Sequence, residues 1–152
     1  MAMKSFAIEA SITIEATPAK VHEVLNDLGR LEDWNPFLTM DKSVTFSVSE
    51  KTVGPGAIFD YQGKRIGKGR MEIISSGPER IGYTMTFFHK KKTEVAKCEY
   101  LVAPEFEGTK VTWTMGGERD LKMHFMGAVL GFDKMMVKNF NNGLKVLRAV
   151  IE

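Results

Sequence analysis

FDKMMVKNFNNGLKVLRAVIE, running from Phe132 to Glu152, contains no proline and carries apolar residues at steps of three or four. Phe132, Met136, Phe140, Leu144, Leu147 and Ile151 fall on one face, with Lys134, Lys138, Asn141, Lys145, Arg148 and Glu152 on the other. That period predicts one long amphipathic helix, which must bury its stripe against another layer. Met135 and Val146 widen the stripe, and Gly143 interrupts it. A glycine there costs about 0.5–1 kcal/mol relative to alanine, which suits either a close neighbouring backbone, an open space beside the helix, or a tolerated surface position.

The chain before this helix supplies the layer. Ser5 to Ile14 alternates strictly, with Phe6, Ile8, Ala10, Ile12 and Ile14 on one face, and reads as a half-buried strand. Thr17-Pro18 then starts a helix, threonine as N-cap and proline in the first turn, with Val21, Val24, Leu25 and Leu28 as its buried stripe. Leu31 to Trp34 adds a short turn that Asn35-Pro36 is expected to break. From Ser43 the period returns to two, and five further short segments follow: Ala57 to Gln62, Lys68 to Ile73, Arg80 to His89, Thr93 to Val102 and Thr109 to Met115. Gly54-Pro55-Gly56, Gly63 to Gly67, Ser76-Gly77-Pro78, Lys90-Lys91-Lys92 and Pro104 to Gly108 read as the turns, and Gly116-Gly117 as the end of the meander. Asp120 to Gly131, with Leu121, Met123, Phe125, Met126, Val129 and Leu130, is either a loop leading to a helix or a helix bent at Gly131. The order β, α, α, six strands, long α predicts an α+β fold in which a curved antiparallel sheet grips the C-terminal helix.

Size and composition narrow the function. The chain of 152 residues is expected to be a single domain, 1–152. A formal charge of +2 with 26% charged residues does not describe a polyanion binder, so no nucleic-acid partner is expected. No apolar run is long enough to span a bilayer, and Met-Ala-Met-Lys-Ser-Phe at the start lacks a signal-type apolar region. One cysteine, Cys98, precludes an internal disulfide and fits a cytoplasmic location. The reading leaves room for a homodimer. His22, His89 and His124 form no HxH, HExxH or CxxC-type pattern, so neither metal nor cofactor is expected.

At this point the chain resembles the polyketide cyclase and lipid-transfer superfamily often written SRPBCC, whose helix-grip fold is shared with START lipid-transfer domains and birch-pollen-type allergens. The resemblance rests on the opening strand followed by Ala16-Thr17-Pro18-Ala19-Lys20-Val21, on Asp27 to Pro36, on Val53-Gly54-Pro55-Gly56, and on Gly108-Thr109-Lys110-Val111-Thr112-Trp113. It implies a deep cavity between the concave sheet face and the long helix. It implies no catalytic residue, because no single catalytic motif runs through the family.

Alternation names the side chains that would line such a cavity. Phe59, Tyr61, Met71, Tyr83, Met85, Phe87, Cys98, Tyr100, Trp113 and Met115 come from the sheet, Met136 and Phe140 from the helix, and Trp34 and Phe37 from near the mouth. Core packing accounts for each alone. Together they make an aromatic and methionine-rich enclosure suited to a small hydrophobic, lipid- or polyketide-like molecule. An alternative is a cyclase or dehydratase-type enzyme using Tyr61, Tyr83 and Tyr100, with Asp60, Glu72 or Arg80 as charges. Asp60 and Glu72 face outward by parity, however, and Arg80 begins its strand near the rim. A Cys98–His89 dyad is not expected, since His89 lies at a strand end and Cys98 several residues deeper. A third reading is a protein-interaction module of the chaperone-activator kind.

Overall fold

In the computed structural model, which describes residues 3–120 and 131–152 (the side chains of 3–6, 118–120 and 132 aside), seven strands form one antiparallel sheet. They are β1 Met3–Ile14, β2 Thr45–Val48, β3 Ile58–Gly63, β4 Gly67–Gly77, β5 Arg80–Phe88, β6 Thr93–Glu105 and β7 Gly108–Asp120. Their spatial order is β1-β7-β6-β5-β4-β3-β2, so every neighbour except the β1–β7 pair is a sequential hairpin or meander connection. The helices are α1 Pro18–Leu25, a 3-10 turn Leu28–Asp33, α2 Pro36–Met40 and the long α3 Phe132–Ile151. This is the helix-grip arrangement: α3 lies against β1 and touches α1 and α2.

Several boundaries differ from the sequence reading for identifiable reasons. Pro104 does not open a turn, because β6 continues to Glu105 and the chain reverses at Phe106-Glu107; Pro104 pairs with Thr109 at the end of the ladder, where a missing N–H costs least. Gly116 and Gly117 do not end β7 either, since both remain in register with Ala7 and Phe6 of β1. Asn35-Pro36 does more than break the preceding turn. The Asn35 side chain accepts a hydrogen bond from the Phe37 N–H at 3.0 Å, so the pair starts α2 in the way Thr17-Pro18 starts α1.

The long helix keeps its expected face. Phe140, Leu144, Leu147 and Ile151 are buried and Met136 is half-buried. Met135 and Val146 do not join the stripe: about half of each side chain stays exposed, because both sit on the flank of the helix beyond the reach of the sheet. Gly143 is a close-approach position. A Cβ there would lie 2.6 Å from Cδ of Pro36 and 3.3 Å from Cζ3 of Trp113, so α2 and β7 meet α3 at its one glycine. Gly131 caps α3 in the left-handed conformation, and the expected apolar segment Leu121, Met123, Phe125, Met126, Val129 and Leu130 lies outside the described residues.

Candidate functional site

The strand registers arrange the inner face of the sheet in five rows. The first holds Ile12, Val111 and Val102; the second Ala10, Trp113, Tyr100 and Ile81; the third Ile8, Met115, Cys98, Tyr83 and Ile73. The fourth holds Ala96, Met85, Met71, Phe59 and Val48, and the fifth Glu94, Phe87, Gly69, Tyr61 and Phe46. All ten sheet residues singled out from the sequence therefore share the inner face.

Burial divides them. In the second and third rows every side chain is buried, whereas Met85 and Val48 in the fourth row and Phe87, Tyr61 and Phe46 in the fifth are only partly covered. Exposure rises toward the Lys90–Lys92 turn.

The closed half is filled by aromatic rings. Trp113 stacks on Phe140 with centroids 3.9 Å apart, and Trp34 meets Trp113 edge-on at 5.4 Å and Tyr100 at 5.9 Å. Phe37 lies against both Trp113 and Phe140. Trp34 was expected near a mouth; instead it is 1% exposed inside this cluster, and only its neighbour Phe37 is half-buried. The short helices fold their aromatic residues inward because Leu28 and Leu31 of the 3-10 turn are buried on the same side.

One polar thread crosses the cluster. Trp113 Nε1–H donates to the Tyr83 hydroxyl at 2.7 Å. Burial drives the Tyr83 and Tyr100 pKa values well above the usual phenol range, and it pushes the Cys98 thiol up to about 12. All three groups are neutral at ordinary pH, so none is poised as a base or a thiolate nucleophile. Among the described residues, two buried polar atoms have no hydrogen-bond partner, Trp34 Nε1 and Tyr100 Oη.

The open half is apolar with a polar edge. Tyr61 lies flat across β4: a Cβ at Gly69 would sit 2.8 Å from its Cε1, so only glycine leaves room for the ring in that row. Partial burial raises the Tyr61 pKa to about 12. Phe46 stacks on Phe59 at 5.1 Å. From the helices, Phe37, Leu38, Met136 and Val137 are likewise partly covered hydrophobic residues packed on the core. The end of α2 is tied down next to the fifth row by Asp41, whose carboxylate accepts from the Ser43 N–H and hydroxyl and from the Arg65 and Ile66 N–H groups of the β3–β4 turn. At the edge Glu94 faces Lys92 Nζ at 2.8 Å and His89 Nε2 at 3.6 Å.

The remaining candidates disperse. His89 belongs to this exposed edge, more than two rows from Cys98, so the two do not form a dyad. His22 Nε2 lies 3.4 Å from Ser76 Oγ on the other side of the fold, and His124 lies outside the described residues. Among the described residues no cluster of three or more His, Cys, Asp or Glu side chains could hold a metal. Asp60 pairs with Arg70 at 2.7 Å on the outer face, in agreement with its parity. Two shallow surface depressions, around Arg80 and Pro104 and around Thr13 and Phe106, lie at the closed end and touch none of the inner-face aromatic residues. Sequence reasoning did not pick out Gly69, Asp41 or the helical Leu38 and Val137. Their signals were weak: a glycine inside an alternating strand, and an Asp-Lys-Ser turn sequence.

Residues 5–152 match the model of the family described as polyketide cyclase/dehydrase and lipid transport. No curated protein matches the chain by sequence. Among solved structures it is similar to truncated norcoclaurine synthase from Thalictrum flavum (10% identity, 99% of this chain and 96% of that one, TM-score 0.76). It is also similar to Ara h 8.0201 (12%, 97% and 98%, 0.63) and to protein CV1439 from Chromobacterium violaceum (18%, 96% and 96%, 0.67). At these identities the likeness is one of fold. Among the described residues no helix is long and apolar enough to cross a membrane.

Proposed function

From the chain's membership of the polyketide cyclase/dehydrase and lipid transport family, which it belongs to over residues 5–152, we propose that this protein binds a small hydrophobic molecule between the open half of the sheet and α3. One observation carries the reading. Along a continuous inner face, burial is complete around Trp113 and falls away through Met85 to Phe87 and Tyr61, leaving apolar and aromatic surface partly uncovered on the side that faces the helix. Such concave apolar surface, with a few polar groups nearby, is the usual form of a small-molecule site. Burial holds Tyr83, Tyr100 and Cys98 protonated, so they serve as hydrogen-bond donors and not as general bases or thiolate nucleophiles.

A ligand that binds only the folded chain stabilises it by RT ln(1 + [L]/Kd), about 2.7 kcal/mol at a hundredfold excess over Kd. A thermal-shift screen of fatty acids, sterols and polycyclic aromatics should raise Tm for at least one class, and native mass spectrometry of freshly purified protein should show a retained mass. No shift with any class and no retained mass would sink the reading.

A further inference from the structure

The hairpin turns from β3 to β7 are sorted by charge. Antiparallel neighbours turn at alternate ends, so the β3–β4 turn, Lys64-Arg65-Ile66, and the β5–β6 turn, His89 to Lys92, project from the open end of the sheet. The β4–β5 turn, Pro78-Glu79, and the β6–β7 turn, Phe106-Glu107, project from the closed end. All four turns meet solvent, so exposure alone does not separate the signs, yet the first pair carries lysine and arginine and the second pair glutamate. Arg80, beside one closed-end turn, is paired with Glu99 at 2.9 Å. A formal charge of +2 conceals this division.

The cations of the open end are not neutralised. Lys42, Lys64, Arg65, Lys68, Lys90 and Lys91 are exposed, and among the described residues none of them forms an ion pair. The carboxylates beside them are already engaged: Asp41 accepts from Ser43, Arg65 and Ile66, and Glu94 faces Lys92 and His89. Those Asp41 bonds, with the Lys64 N–H donating to Ser43 Oγ, also fasten the Asp41-Lys42-Ser43 turn to the β3–β4 turn. The two basic hairpins are two strand spacings apart, about 10 Å, so their charges lie within about one Debye length of each other in dilute salt. Apolar side chains lie among them. Phe88 is 40% exposed with its ring 5.7 Å from Lys68 Nζ, and Phe46, equally exposed, sits opposite Tyr61 in the fifth row.

We propose that this end of the sheet docks on an anionic bilayer, with the cations of the two turns against the lipid headgroups and Phe88 and Phe46 set between them. Each lysine or arginine near a negatively charged leaflet strengthens partitioning about fivefold, and exposed phenylalanine adds apolar burial at the boundary of headgroups and acyl chains. The cations stand on hairpin tips and not along a helix or a stripe that could track a nucleic-acid backbone, so a lipid surface fits them better. The glutamate turns at the far end are repelled by the same surface and orient the molecule with its open end down. In that pose the partly uncovered half of the inner face is directed at the bilayer. The docking stands on the sorted charges and holds whatever the inner face binds.

Vesicle co-sedimentation tests it, with phosphatidylcholine alone compared with equal parts of phosphatidylcholine and phosphatidylserine, at low and at high sodium chloride. The wild type should partition onto the anionic vesicles about tenfold or more better than onto the neutral ones, and added salt should remove the difference. Lys64→Gln with Arg65→Gln, and Lys90→Gln with Lys91→Gln, should each weaken partitioning about 25-fold, two factors of about five. Glu79→Gln with Glu107→Gln, at the closed end, should change it less than about twofold. All six positions are exposed, so none of these variants tests folding. In a Phe88→Trp variant the indole emission should shift to the blue on anionic vesicles, which charge contact alone does not produce. Equal partitioning onto both vesicle types, none at low salt, or equal losses from the basic-end and closed-end pairs overturns the docking. So does binding to a DNA duplex as tight as to the vesicles at equal phosphate without the blue shift, which would assign the basic end to nucleic acid. No readout needs a bound ligand, so these failures leave the ligand-binding reading standing.

Discussion

Trp113 and Phe140 lie face to face, 3.9 Å between centroids and 5° from parallel, so the last strand and the final helix meet through one stacked pair at the centre of the closed half. The pair joins residues from β7 and α3, and Trp34, Tyr100 and Phe37 wrap its edges. Phe140→Ala and Trp113→Ala should each cost about 3–5 kcal/mol in urea unfolding, the range for deleting a large buried aromatic. The tryptophan variant also leaves the Tyr83 hydroxyl without its donor. A loss under about 1 kcal/mol for either would show that the stack is not what holds the helix in the grip.

A second prediction concerns Gly143. Alanine is better than glycine in a helix interior by about 1 kcal/mol, so propensity alone predicts a stabilised variant. Packing predicts the opposite, because the new methyl would meet Pro36 Cδ at 2.6 Å and Cγ at 2.9 Å, and a proline ring at the start of α2 has little freedom to turn away. Overpacking of this kind typically costs about 1–3 kcal/mol, so Gly143→Ala should be destabilised overall. A higher urea midpoint than wild type would mean that α2 rides loosely on α3.

The inner face of the sheet was legible from alternation alone, since a strand has a period of two and one buried face fixes the parity of every residue on it. For the same reason Asp60 was correctly placed on the outside, where it pairs with Arg70. What alternation does not carry is position along the strand. Tyr100 and Phe87 have the same parity, yet one is sealed under Trp34 and the other lies near the edge, because the short helices cover only one end of the sheet. That is why Trp34 read as a residue of the mouth when it belongs to the packed cluster. Strand ends were misread where glycine or proline sits inside a ladder, as at Gly116 and Pro104, since pairing on the neighbouring strand sustains the extended backbone against local propensity.

The Asp41 anchor gives a pH prediction. Its carboxyl is held far below the usual carboxylate range, first by the Ser43 hydroxyl and then by backbone N–H groups of Ile66, Arg65 and Ser43. A carboxyl whose folded pKa is depressed contributes stability that is fully present above its unfolded pKa, about 3.9, and is lost as pH falls from there toward the folded value. Urea midpoints measured from pH 7 to pH 2.5 should therefore drop more steeply for wild type than for Asp41→Asn, with the two profiles converging below about pH 4. Parallel profiles would show that the α2 anchor does not depend on the charge.

The division of the inner face into a closed and an open half makes stability and binding separable. Phe87 and Met85 are only partly covered, so truncating either to alanine removes little buried surface and should cost at most about 1.5 kcal/mol, far less than Phe140→Ala. The same two side chains form the apolar floor beside Tyr61 that a ligand body would rest on, so each truncation should weaken binding of an apolar probe such as fluorene about tenfold, the equivalent of one lost aromatic or methionine contact. Calorimetric Kd values and urea midpoints taken on the same proteins give the comparison, with Val95→Ala on the exposed outer side of β6 as a control expected to move neither. If Phe87→Ala and Met85→Ala lost stability as Phe140→Ala does, the open half would be core. If they kept both stability and fluorene affinity, the probe would bind elsewhere, and the inner face around Met85 and Phe87 would no longer be the site.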